Sequence, residues 1–142
     1  MLKLPSELEA QLQRDAGMTH FEYWVVALLS EAPDRRLPLS QLAGQANASL
    51  SRLSHVVTRL ERRGWVRRVP SATDARVRVA ELTDAGWDQV RAAAPGHVSA
   101  VRRMVFDGLD ADGVAHLRGV CEAIIEQIDA EQIDAEQVDA TS

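Results

Sequence analysis

The segment from Ser49 to Gly64 constrains the fold of this chain more than any other. Apolar side chains recur there at steps of three and four residues, which predicts an amphipathic helix from Ser49 to Arg63. Gly64 follows at the position expected for a helix C-cap. The buried face of this helix is predicted to consist of Leu50, Leu53, Val56, Val57 and Leu60.

Shorter predicted elements flank this helix. Ser40 is expected to cap a short helix, Gln41–Ala46, and Asn47 suits a tight turn because asparagine tolerates a left-handed backbone. Beyond Gly64, two strands are predicted at Trp65–Val69 and Val77–Leu82, and a polar connection joins them as a hairpin with a long tip. The order helix, turn, helix, hairpin predicts a winged helix-turn-helix.

Helices are predicted on both sides of this module. The first begins at Ser6 and ends at Gly17, and the second begins at Thr19 and ends near Ala32; the starts of both fit a capping box. Thr83 is expected to cap a helix that Pro95 kinks or breaks near Ala94 and that reaches Phe106. Asp110 is expected to cap the last helix, which we expect to fray after Glu131 because its repeated Glu-Gln-Ile/Val-Asp-Ala units cannot keep one apolar face.

The predicted fold class is therefore mainly α with a small β-hairpin: a winged helix-turn-helix plus a helical dimerisation region. Four regions are expected: N-terminal helices at 1–32, the winged module at 33–82, C-terminal dimerisation helices at 83–131 and an acidic tail at 132–142.

Charge is unevenly distributed along the chain. The net charge is −5, yet the segment Arg52–Arg78 holds eight arginines against only two acids, Glu61 and Asp74. From Asp107 onward there are ten acids and one base. A basic module between acidic ends is typical of a protein that binds a polyanion, because the local field matters more than the total.

Several functional classes are disfavoured by composition. No apolar run approaches the roughly 20 residues of a membrane span, and no signal peptide begins the chain, so we expect a cytoplasmic protein with no membrane partner. Cys121 is the only cysteine, which excludes an internal disulfide. Together with the four histidines it gives no spacing that is typical of a metal site. No nucleophile–base pair or phosphate loop is visible, so no enzymatic activity and no cofactor are expected.

The candidate partner is double-stranded DNA. A helix that projects into a major groove needs short polar or hydrogen-bonding side chains near its N-terminus, and a hairpin tip can bring an arginine to the neighbouring minor groove. Two other interpretations remain: the arginines form a solvated face, or the winged fold is a protein-interaction module that does not bind DNA. The candidate DNA-binding residues are Ser40, Ser49, Ser51, Arg52, Ser54, His55, Arg59, Asp74, Arg76 and Arg78.

From Thr19 to Gly86 the chain resembles the MarR family of transcription regulators. The resemblance lies in Leu39-Ser40-Gln41-Leu42-Ala43, in the run from Ser51 to Gly64, and in Asp74-Ala75-Arg76 before Leu82-Thr83-Asp84-Ala85-Gly86. It implies that Arg76 enters a minor groove, that Asp74 positions a neighbouring arginine, and that the major groove is read by Ser51, Arg52, Ser54 and His55. It also implies a homodimer on a palindromic promoter site, and we expect a repressor.

The resemblance further implies a small phenolic or aromatic-acid effector that releases DNA. His20, Tyr23 and Trp24 are the candidate ligand-binding residues, although the spacing of Trp24 also fits plain core. Cys121 lies on an apolar seam of the last helix, so we expect it to be buried and inert. Two seams need a partner surface, unless they close the core of the monomer: Val98, Val101 and Val105, and Leu117, Cys121, Ile124 and Ile128.

Overall fold

Two helices joined by a short turn begin the described part of the chain. The computed structural model describes the backbone of residues 3–139 and the side chains of residues 3–132. Helix α1 spans Lys3–Ala16 and helix α2 spans His20–Glu31. The predicted start of α1 at Ser6 is wrong: the helix begins at Lys3, because Pro5 fits a first turn, where a backbone N–H has no intrahelical acceptor.

The start of α2 confirms the predicted capping box. Thr19 Oγ1 accepts a hydrogen bond from the Glu22 N–H at 3.0 Å, and Glu22 Oε2 accepts one from the Thr19 N–H at 2.9 Å. The helix ends before Pro33, as predicted. A single 3₁₀ turn, Pro33–Arg35, follows, in which Asp34 and Arg35 have φ values of 52° and 56°.

The helix-turn-helix consists of helix α3, Leu39–Gln45, and helix α4, Leu50–Arg62. The predicted cap at Ser40 is wrong, because α3 begins two residues before Gln41, directly after Pro38 and without a side-chain cap. The predicted turn and the predicted helix end are confirmed: Asn47 is left-handed with φ 49°, and Gly64 ends α4 with φ 74°. Ser49, predicted to be the first residue of this helix, is its N-cap instead.

The wing is part of a three-stranded antiparallel sheet in which two strands were predicted. Strand β1 is Arg36–Pro38, β2 is Val66–Pro70 and β3 is Arg78–Leu82, in the order β1-β3-β2. A loop is predicted at residues 35–38, because the three residues Arg36–Pro38 contain one leucine and carry no strand periodicity. Pairing with β3, which sets Leu37 opposite Ala80, makes this segment a strand.

The first compact unit, Met1–Ala100, holds the core. Helix α5, Asp84–Val101, packs closely on the wing, since a Cβ added at Gly86 would overlap the carbonyl oxygen of Trp65. Thr83 begins α5 as predicted: its Oγ1 accepts from the Gly86 N–H at 3.1 Å and donates to the Gly64 carbonyl at 2.7 Å. The largest fully buried side chains are Leu12, Met18, Leu29, Leu42, Leu53 and Leu60.

The second unit, Val101–Ser142, contains wide π turns at Arg102–Phe106 and helix α6, Ala111–Asp139. Asp110 caps α6 as predicted, accepting a hydrogen bond from the Gly113 N–H at 2.8 Å.

Pro95 does not break helix α5 near Ala94, because a proline removes one backbone hydrogen bond while Ala93, His97 and Ala100 keep the helix packed on the core. The alternative of a kink at this position stays a prediction. The described backbone of helix α6 is helical to Asp139, because i→i+4 bonding does not require an apolar face. Fraying of this helix after Glu131 stays a prediction. The rest of the tail, residues 140–142, lies outside the described backbone. Among the described helices, none is long and apolar enough to span a membrane.

Candidate nucleic-acid interface

Helix α4 presents different chemistry on each side. Each residue turns the helix by about 100°, so Ser51, His55 and Arg62 fall on one stripe opposite the buried face. All three are exposed, whereas Leu53, Val56, Val57 and Leu60 are buried as predicted. The outward stripe therefore offers a hydroxyl, an imidazole and a guanidinium to anything that contacts the helix.

One flank of α4 is held against α2 by its arginines. The Arg52 guanidinium lies 4.3 Å above the centre of the Phe21 ring, and Arg59 Nε is 3.0 Å from Glu22 Oε1. Glu22, whose side chain is only 7% exposed, also lies 3.8 Å from Arg63 Nη1. These contacts fix the orientation of two predicted DNA-binding arginines while leaving Arg52 and Arg59 exposed.

The other flank is attached to the wing by Arg68, a residue that the sequence analysis did not single out. Arg68 Nη2 donates to the Ser54 carbonyl at 2.8 Å, to Ser54 Oγ at 3.0 Å and to Thr58 Oγ1 at 3.1 Å. Its Nη1 forms an ion pair with Glu61, whose other oxygen accepts from the Arg68 N–H at 2.9 Å. A sequence signal was present, because Glu61 is one of only two acids in the arginine-rich segment.

At the tip of the wing, Asp74 orients Arg76. Asp74 Oδ1 accepts from the Arg76 N–H at 3.0 Å and from Nε at 3.1 Å, while Oδ2 lies 3.3 Å from Nη2. The side-chain hydrogen bond from Arg76, followed by the backbone one, lowers the pKa of Asp74. The Arg76 side chain remains 91% exposed, so Asp74 fixes its orientation and leaves it accessible to solvent.

The base of the wing is stabilised by a buried carboxylate. Glu81, on the central strand β3, lies 2.7 Å from Arg67 Nη2 on β2 and 3.1 Å from Arg36 Nη2 on β1. The hydrogen bond from Arg67 is the main cause that lowers the pKa of Glu81. Other arginines of the module are not held in this way: Arg62 and Arg78 have no carboxylate partner among the described side chains.

Comparison with known proteins agrees with this architecture. The sequence profile of the MarR family matches residues 18–77. Sco3205 from Streptomyces coelicolor, a MarR family transcriptional regulator solved in complex with DNA, is 45% identical with a TM-score of 0.85, over 89% of this chain and 79% of Sco3205. The chain belongs to the MarR family.

Two further relatives support this assignment. AbsC from Streptomyces coelicolor, another MarR family regulator, is 36% identical with a TM-score of 0.85, over 91% of this chain and 86% of AbsC. The HTH-type transcriptional repressor YetL from Bacillus subtilis (strain 168) is 29% identical over 85 residues, 60% of this chain. That match spans only about half of YetL, 51% of its length.

The remaining predicted DNA-binding residues of this MarR-family chain have varied environments. Ser49 Oγ accepts a hydrogen bond from the Arg52 N–H at 3.2 Å, so this oxygen caps α4. Ser40 and Arg78 are exposed. Leu50, predicted to be buried, is 54% exposed, because it is the first residue of α4 and no preceding helical turn covers it.

The candidate effector residues on α2 separate into two groups. Tyr23 is buried, with its ring 4.6 Å from that of His97, and the exposed His20 ring lies 5.7 Å from His97. Trp24 is 44% exposed, so the alternative that Trp24 is a core residue is wrong. It directly follows the buried Tyr23, and consecutive side chains on a helix point in different directions.

His97 is the residue around which this cluster forms, and sequence reasoning gave it no role. Its Nδ1 lies 2.9 Å from Gln11 Oε1, and burial, followed by the charge of His20, lowers its pKa. Burial is also the main cause that raises the pKa of Tyr23. Cys121, which was predicted to be buried, is exposed in the single chain, since the seam of α6 on which it lies is not covered.

Proposed function

We propose that this protein is a homodimeric transcription regulator that binds a palindromic promoter site through α4 and the wing. The observation that carries the proposal is the pairing of two exposed features in one compact unit: the outward stripe of Ser51, His55 and Arg62 on α4, and the oriented Arg76 at the wing tip. A recognition helix in the major groove with an arginine in the adjacent minor groove accounts for both.

Electrostatics favours DNA over a protein partner. Arg52 and Arg76 combine exposure with fixed geometry, and Arg62 and Arg78 are exposed without a carboxylate partner among the described side chains. Guanidinium groups arranged in this way match phosphate oxygens and guanine edges. The relative Sco3205, which was solved in complex with DNA, supports the same partner for this chain.

Dimerisation is supported by the second unit. None of its described side chains, residues 101–132, is buried in the single chain. A segment that exposes this much apolar surface has no core of its own and is stabilised by a partner surface. A second copy supplies that surface by two-fold symmetry, which also requires a palindromic site. Exposed large apolar residues there include Met104, Phe106, Leu109, Val120, Ile124, Ile125 and Ile128.

The sign of regulation and the effector complete the proposal. The relative YetL is a repressor, which supports repression by this chain. The cluster of His20, Tyr23 and His97 supports a phenolic or aromatic-acid effector, because it combines ring faces with imidazole donors. Titration with salicylate, followed by intrinsic tryptophan fluorescence and by release of bound duplex, tests the effector; absence of both signals for a panel of aromatic acids contradicts it.

The main experiment is selection of bound duplexes from a random library, followed by affinity measurements. Arg76→Ala is expected to weaken binding roughly tenfold across sequences and to reduce the salt slope by about 0.9 for each phosphate that the variant no longer neutralises. Arg52→Ala is expected to relax base preference at one position per half-site. Arg118→Ala is the matched control, because Arg118 is an exposed arginine of α6, outside the winged module.

Two results would contradict the proposal. A monomeric protein that ignores duplexes at low salt favours the alternative of a protein-interaction module. Equal losses of affinity in Arg76→Ala and Arg118→Ala would remove the wing arginine from the interface.

A further inference from the structure

We infer that Leu50 selects thymine at one position of each half-site by packing against its 5-methyl group. The inference rests on the proposed DNA binding and adds a residue that determines specificity. Leu50 is the first residue of α4 and 54% of its surface is exposed, although the rest of the apolar face of this helix is buried.

Leu50 lines a small depression between α3, α4 and the wing. Leu39 and Val77 provide its other apolar side chains, and Val77 is itself 38% exposed. Ser40, Ser54 and Arg78 form the polar rim. None of these lining residues carries a carboxylate, so a polyanion can approach the depression without repulsion from it.

The position on the helix favours a base edge as the occupant. In a helix-turn-helix, the N-terminal residues of the second helix contact base edges in the major groove. Leu50 begins that helix, and the predicted DNA-binding residues Ser54 and Arg78 line the same depression, so the depression borders the proposed interface. The thymine 5-methyl is the one apolar group that the bases present there.

Removal of the methyl group alone tests this contact. Replacement of thymine by uracil deletes a single buried methyl, which corresponds to a decrease in affinity of about fourfold per half-site, or about 0.8 kcal/mol. Both half-sites together give a decrease of about fifteenfold if the two contacts are independent. The hydrogen-bonding pattern of the base pair is unchanged, so no polar contact is altered.

The experiment scans uracil through every thymine of the selected duplex, with wild-type protein and with Leu50→Ala. Wild type is expected to lose affinity at one symmetric pair of thymines, whereas Leu50→Ala is expected to bind thymine and uracil duplexes equally at that pair. Leu4→Ala is the control, because Leu4 is also an exposed leucine, 39%, but lies on α1; it should keep the wild-type ratio. Circular dichroism of each variant checks the fold.

The outcomes separate this inference from the proposal on which it depends. Failure to bind any duplex contradicts the proposed function itself. Binding without a thymine-specific decrease, or with the same decrease in Leu50→Ala, overturns the role of Leu50 alone. A selected half-site that lacks an invariant thymine overturns it as well.

Discussion

Substitution of Glu22 tests whether a single carboxylate both begins α2 and holds α4. Its Oε2 completes the capping box with Thr19, and its Oε1 lies 3.0 Å from Arg59 Nε. Glu22→Ala removes both interactions. Glu22→Gln keeps an oxygen that can accept from the Thr19 N–H but loses the charge that attracts Arg59.

The magnitude follows from these two parts. Loss of the capping interaction costs about 1 kcal/mol. Loss of the charged hydrogen bond costs about 1–2 kcal/mol, at the low end of the usual range because the Arg59 side chain is 51% exposed and water can replace part of it. We therefore expect Glu22→Ala to lower the free energy of unfolding by about 2–3 kcal/mol and Glu22→Gln by about 1–2 kcal/mol. For a chain of this length, Glu22→Ala should lower Tm by about 10 °C.

The assay is urea and thermal unfolding at one fixed protein concentration, because the stability of a protein that dimerises, as proposed above, depends on concentration. Glu31→Gln is the control: Glu31 lies at the exposed C-terminal end of the same helix, where its neutralisation should change stability by less than about 0.5 kcal/mol. A double-mutant cycle with Arg59→Met isolates the ion pair and should give a coupling of about 1 kcal/mol. If Glu22→Gln were no more destabilising than Glu31→Gln, the reasoning would be refuted.

Two further predictions concern packing and pH. Gly86→Ala should destabilise the protein by about 3 kcal/mol in urea unfolding, because the new Cβ overlaps the backbone of Trp65. Gly44→Ala is the control: its Cβ meets no atom within 4 Å, so it should stabilise α3 by up to about 1 kcal/mol. Similar values for the two variants would contradict the packing of Gly86 on Trp65. The pKa of His97 is lowered from 6.5 in the folded state, so its contribution to stability is present above about pH 6.5 and is lost as the pH falls. The urea midpoint should therefore drop between about pH 7.5 and about pH 5.5, and it should drop less in His97→Gln. An equal drop in both proteins would contradict the role of His97.

Local signals in the sequence were sufficient for most helix boundaries. Thr19, Ser49, Asn47 and Gly64 act through hydrogen bonds or backbone angles within a few residues, so their roles can be predicted without knowledge of the fold. Strand β1 could not be predicted in this way, because its pairing partner Glu81 is 45 positions away from Arg36. A three-residue segment has no periodicity of its own.

The candidate site was predictable by residue type but not by contact. Periodicity assigned Leu50 to the apolar face correctly, yet it could not indicate whether a neighbouring element covers the first turn of a helix. Nor could it indicate that Arg68 hydrogen-bonds Ser54, because strand and helix meet only in the folded chain. The wing was easier, since Asp74 and Arg76 are two residues apart and interact within one turn.

The adjacency of Glu22 and Tyr23 has a mechanical consequence. Consecutive side chains on a helix point about 100° apart, and here one meets α4 through Arg59 while the other meets α5 through His97. Any rotation of α2 that moves Tyr23 away from His97 also moves the carboxylate that anchors Arg59. A molecule that displaced the tyrosine would thus disturb the ion pair between Glu22 and Arg59 directly, through one helix and without a chain of intermediate contacts.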